Sequence, residues 1–124
     1  MSGSRLVLAI RAGGERFAVP LERVREAARP RRITPLPGAP ASWRGVALVR
    51  GEALGVVDVA AAVGRPPSEP GESPLVVVLH DCDHALLVDA VDGVEPLPEG
   101  GPAPGAEDAP ALLDVDRLGA RGEA

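Results

Sequence analysis

Apolar residues along this chain come in short runs broken by Gly, Pro and charge, a rhythm that predicts many brief strands and little helix. Residues 6–11 read as a strand, Gly13 and Gly14 as a tight turn, and residues 16–19 as the returning strand. Pro20 breaks that pairing; residues 21–24 suit one helical turn and residues 25–29 an extended stretch. Pro30, Pro35, Pro37 and Pro40 then forbid regular structure over about a dozen residues. A second hairpin follows, with strands 45–49 and 53–57 around Arg50, Gly51 and Glu52, and residues 59–63 form a short helix stopped by Gly64. A third hairpin, 75–79 and 85–88, turns on the segment HDCDH, and residues 91–94 add a short extended piece. Residues 65–74 and 95–110, rich in Pro, Gly and acid, are expected to be surface connections without a core strand. Ala111 to Leu113 is apolar again, Asp114 can cap a last turn over 115–118, and the tails 1–4 and 119–124 are expected to fray. Seven or eight short strands with hairpin connections suggest small barrels.

Composition narrows this picture. At 124 residues the chain has room for one domain, or two very small units sharing a core. Phe17 and Trp43 are its only aromatics, so Val, Leu and Ala must fill the interior. A net charge of −5 argues against a nucleic-acid groove, since Arg29, Arg31 and Arg32 form a short basic patch without aromatic stacking partners. All 13 basic residues are Arg, a bias that fits a GC-rich genome and carries no functional message. The single cysteine, Cys82, excludes an internal disulfide and suits a reducing compartment. The first apolar run is too short for a signal peptide or a membrane span, so a cytoplasmic protein without membrane insertion is expected.

Candidate chemistry is sparse. Arg50 and Asp58 are lone charges at the ends of apolar strands, where each needs a partner in the fold or on another protein. Glu26 is set among apolar neighbours in the same way, and an Arg50/Glu26 pair would satisfy both. Asp58, placed just before residues 59–63, reads as a helix cap. His80, Cys82 and His84 would share one side of an alternating strand and would suit a soft divalent metal, but the segment is a turn and no second ligand cluster completes a site. Neither a metal nor any other cofactor is therefore expected. No glycine elbow surrounds the serines, and nothing supplies Cys82 with an oxyanion hole, so no catalytic residue is assigned and the chain reads as a non-enzyme. The segment TPLPGAP could be a Pro-rich ligand motif, and is read as a fixed bend.

The run FAVPLERVREAARPRRITPLPGAPASWRGVALVRGEALGVVDV, the later HALLVDAVDGV and the final ALLDVDRL resemble, in order and spacing, the CheW-like domain, the coupling protein of bacterial chemotaxis arrays. The resemblance implies a mainly β fold of two small packed five-stranded barrels with short helical turns, spanning residues 5–118 and without a catalytic centre. It implies an adaptor that joins a chemoreceptor's cytoplasmic tip to the regulatory domain of a CheA-like histidine kinase, with the receptor hairpin in the groove between the barrels. Val24, Glu26, Gly45, Arg50 and Val88 fall on positions the family uses at or near that groove; Asp58 and Asp89 match signatures taken as structural. Leu48, Gly55 and Ala85 depart from the family's Asn, Pro and Gly. The segment between Val94 and Ala111 is shorter than the family's and lacks its additional strand, which puts the closure of one barrel in question. Two alternatives to the chemotaxis adaptor are a CheW-like module serving another two-component pathway and a small metal-binding protein.

Overall fold

A computed structural model describes residues 4–69, 71, 73–98 and 109–120. Nine strands form two sheets. The first has four strands in the order β8 (Ala90–Pro98), β1 (Ser4–Ala12), β2 (Glu15–Pro20) and β9 (Ala111–Leu112). The second has five, in the order β3 (Val24–Ala28), β6 (Leu75–Leu79), β7 (His84–Val88), β5 (Glu52–Asp58) and β4 (Trp43–Val49). A 3-10 turn, Leu21–Arg23, joins the sheets; the helices are α1 (Val59–Ala62) and α2 (Val115–Ala120). Both ladders run in open order, so backbone pairing closes neither sheet into a barrel among the described strands.

Period-two alternation explains why β6 and, after His84, β7 are continuous apolar runs. Val77, Leu79, Leu86 and Val88 face the core shared with the first sheet, where Leu8, Ile10, Phe17, Val19, Leu113 and Leu118 meet them. Val76, Val78, Ala85 and Leu87 face the opposite way, into a second core with Val49, Leu54 and Val56. A strand buried on both faces cannot spare polar positions. At roughly 1.5–3 kcal/mol for each buried large aliphatic side chain, these two layers supply the main driving force for folding.

Three expectations change. Residues 95–98 are not a loose connection: β8 continues to Pro98, and Leu97, 6% exposed, packs with Val7 and Ala18. Pro96 and Pro98 are tolerated because β8 is an edge strand, where every second amide points away from its one neighbour. The third hairpin's return strand begins at His84, which is buried rather than part of a solvated turn. The bend at 30–40 is irregular as expected, save that Thr34 pairs with Val46. Residues 1–3, 99–108 and 121–124, most of the expected tails and of the 95–110 connection, lie outside the described residues.

Candidate partner-binding surface

In the five-stranded sheet β3 and β4 are opposite edges, yet side chains join β3 to the turn end of the β4–β5 hairpin. Arg50 Nε donates to both carboxylate oxygens of Glu26, at 2.9 and 3.0 Å, and Arg25 Nη1 donates to Glu52 Oε1 at 3.0 Å. The two pairs cross with opposite polarity, one charge of each sign on each side. Arg50 and Gly51 form the two-residue loop between β4 and β5, with φ of 51° and 83°, as a type I′ turn requires. Arg50 is therefore held at the tip of a hairpin rather than inside a strand, and its side chain is 72% exposed, against 20% for Glu26. Exposed pairs of this kind contribute only about 0–1 kcal/mol to stability. The guanidinium commits Nε to Glu26, and among the described residues its two amino groups have no acceptor, which leaves them for one on another molecule.

The other residues singled out from sequence lie deeper. Gly45 is buried at φ 141°, and a Cβ there would stand 2.0 Å from the Thr34 carbonyl oxygen; its lack of a side chain lets the Pro-rich bend lie on β4. Val24 is half-buried against the main core, and Val88, 3% exposed, is part of it. These three support the surface from behind, whereas Glu26 and Arg50 form it. Sequence reasoning missed Arg25 and Glu52, although their charges mirror Glu26 and Arg50 one and two residues away. Leu48, noted only as a departure from the family's Asn, has its side chain on the surface at 67% exposure.

Asp58 is the cap expected and more. Fully buried, it accepts from Ala61 N through Oδ1 at 3.3 Å, and from Arg44 Nη1 and Ser68 N through Oδ2, each at 2.9 Å. Ser68 Oγ donates onward to Asp89 Oδ1, while Asp89 Oδ2 accepts from Gly13 N. Both aspartates thus fasten the connection after α1 to the body of the fold.

The HDCDH turn is organised by Arg23, whose two amino groups clasp Asp116 at 2.9 and 3.0 Å, with Nη2 also donating to Cys82 Sγ at 3.0 Å. Burial pushes the Cys82 thiol up, against the pull of Arg23, so the group stays protonated at neutral pH rather than forming a nucleophilic thiolate. His80 is exposed and His84 buried, so the two do not share a face toward Cys82. Among the described residues no three His, Cys, Asp or Glu side chains converge on a point that would hold a metal.

Burial holds the His84 imidazole below its ordinary pKa, opposed by a backbone hydrogen bond at Val115 and by the charges of Asp116 and Asp83, while Arg23 adds to the lowering. Its Nε2 is buried without a partner among the described residues, and its ring meets Trp43 edge-on at 5.9 Å. Unfolded, the same residue takes a proton near pH 6.5. Stability should therefore fall as pH drops below about 6.5, with a slope of at most about 1.4 kcal/mol per pH unit. Denaturant titrations from pH 7.5 to 5 should show that slope in the wild type and a flatter one in His84→Gln. A second loss belongs below pH 4, where Asp92 and Asp116, both held low by hydrogen bonds from arginines, take up protons.

Comparison with known proteins shows what the chain as a whole is similar to. A family profile described as the CheW-like domain matches residues 6–117. Chemotaxis protein CheW of Rhizobium meliloti (strain 1021) is 36% identical over 95 residues, covering 75% of this chain and 61% of that protein. Protein PilI of Pseudomonas aeruginosa is 33% identical over 93 residues, covering 73% of this chain and 52% of that protein. The chain thus spans between half and two-thirds of the length of these relatives. In fold it is similar to the scaffolding protein TtCheW from Thermoanaerobacter tengcongensis, with a TM-score of 0.68 and 22% identity over 82% of this chain and 73% of that one.

Proposed function

The chain belongs to the CheW-like domain family, and from that membership we propose that it is a non-catalytic adaptor coupling a chemoreceptor's cytoplasmic tip to the regulatory domain of a CheA-like histidine kinase. The observation that carries the reading is the Arg50/Glu26 pair: two charges that stabilise the fold little, with Arg50 held exposed at the tip of the β4–β5 hairpin and Glu26 facing it from β3. Arg50 and Glu26 meet the partner, while Val24, Gly45 and Val88 shape the ground on which they stand. The ion pairs between β3 and the β4–β5 hairpin support reading the five-stranded sheet as one of the family's two small barrels, its seam joined by side chains. Residues 5–118 then act as a single CheW-like domain. No helix among the described residues is long and apolar enough to cross a membrane.

Co-sedimentation with receptor-containing vesicles and the kinase tests the proposal. Wild-type protein should bring the kinase down with the vesicles, and Arg50→Ala should cut the recovered kinase several-fold with the melting temperature shifted by only a few degrees. Undiminished recovery with Arg50→Ala would reject the assignment of this residue.

A further inference from the structure

A second surface lies beside the first and has a different character. Eight of the arginines are in ion pairs with acidic side chains of the chain itself. Arg29 donates to the Ser73 carbonyl. Arg31 and Arg32, both exposed, pair with no acidic side chain among the described residues, although the chain as a whole is net negative. Arg117 is also outside the ion pairs, but it stands alone on α2, whereas Arg31 and Arg32 are neighbours on one cleft.

That cleft is about 620 Å³, and its floor is Val46, Ala47 and the exposed Leu48 on β4. A second hollow, of about 550 Å³, shares both arginines and extends toward Arg44 and Pro74. Cation and apolar floor are held in fixed relation, because Pro30 and Pro35 restrict the chain on either side of the arginines and Thr34 exchanges two 2.8 Å hydrogen bonds with Val46. Val46 turns its backbone groups toward Thr34, across the outer edge of β4. Alternation turns those of Leu48 to the same edge, beyond the reach of the isolated bridge.

We propose that this cleft docks an acidic, extended segment of a protein partner, with carboxylates on Arg31 and Arg32 and apolar side chains against Leu48. Two adjacent guanidiniums match carboxylates spaced along a strand, and the apolar floor matches the side chains between them. A small inorganic anion would leave Leu48 and Val46 unused. Nucleic acid is disfavoured by the net charge and by the absence of aromatic stacking residues in the cleft lining. The cleft adjoins the Arg50/Glu26 pair through Leu48, which also lines the hollow around that pair, but Arg31 and Arg32 line only the cleft side, so the Arg31/Arg32 variants test this proposal separately from the adaptor reading.

The test is fluorescence anisotropy of the full chain with a labelled ten-residue peptide, capped at both ends, in which Glu and Val alternate. Saturable binding is expected, weakening as salt rises. It should fall about tenfold or more in Arg31→Glu/Arg32→Glu, several-fold in Leu48→Ser, and stay within about twofold in Arg117→Glu, a charge reversal on exposed α2 outside the cleft lining. Arg31→Gln/Arg32→Gln, checked for an unaltered melting curve, repeats the test without introducing new charge. Absence of saturable binding, or equal binding by the Arg31/Arg32 variants, would overturn the proposal. So would equally tight binding of a Glu–Gly peptide, of inorganic phosphate or of phosphatidylglycerol vesicles, since each would reveal a general anion site instead.

Discussion

Asp58→Ala is expected to destabilise the protein by about 3–4 kcal/mol, near the lower end of what removing one partner of a buried ion pair costs. The carboxylate is fully buried and accepts three hydrogen bonds, from the α1 backbone, the Ser68 backbone and Arg44. Truncation strands two backbone amides and a guanidinium at once. Arg44, whose side chain is 31% exposed, can partly rehydrate, and this keeps the loss from the upper end of the range. For a domain of this size the melting temperature should drop by roughly 10–15 °C. Asp58→Asn should lose less, because its amide oxygen can still accept from the backbone. Asp89→Ala, on an exposed residue with two weaker contacts, should lose about 1 kcal/mol. Urea denaturation of the three variants checks the order, and an Asp58→Ala loss below 1 kcal/mol would mean that the buried network holds nothing together.

Gly45→Ala should be nearly as severe, at about 3 kcal/mol, for a different reason. A methyl group at Gly45 would overlap the Thr34 carbonyl and the Pro35 Cα, and the φ of 141° is itself strained for any side chain. The bend must lift from β4, giving up both hydrogen bonds between Thr34 and Val46. Limited proteolysis should then cut within residues 30–42 well before the rest of the chain. Gly51→Ala is the control: its φ is also positive, at 83°, but a Cβ would meet nothing within 4 Å, so only about 1 kcal/mol of backbone strain is expected. If the two variants were equally stable, the close approach at Gly45 would not matter.

Much of the fold was legible in the sequence because its strands are short, aliphatic and punctuated. The three hairpins, the bend and α1 follow from turn residues and prolines whose backbone preferences act locally. The extension of β8 to Pro98 was hidden because two prolines disguise an edge strand, and edge status is a property of the sheet rather than of the segment. His84 was misplaced for a similar reason: polar by type, it is buried by the packing of Trp43 and the elements around it. In the candidate site, opposite charge in apolar surroundings correctly paired Arg50 with Glu26. The depth of Gly45 and Val88, and the second crossing pair of Arg25 with Glu52, depend on how the two sheet edges approach, which no local pattern records.

The role of Arg50 is tested most directly by titration calorimetry of a CheA-like kinase's regulatory domain into three forms of this protein. These are the wild type, Arg50→Glu, and the swap Glu26→Arg/Arg50→Glu, which restores an ion pair across the seam with its polarity reversed. If Arg50 meets the partner, Arg50→Glu binds at least about tenfold more weakly, and the swap recovers thermal stability without recovering affinity. Wild-type affinity in the swapped protein would contradict the account, because the pair would then serve the fold alone.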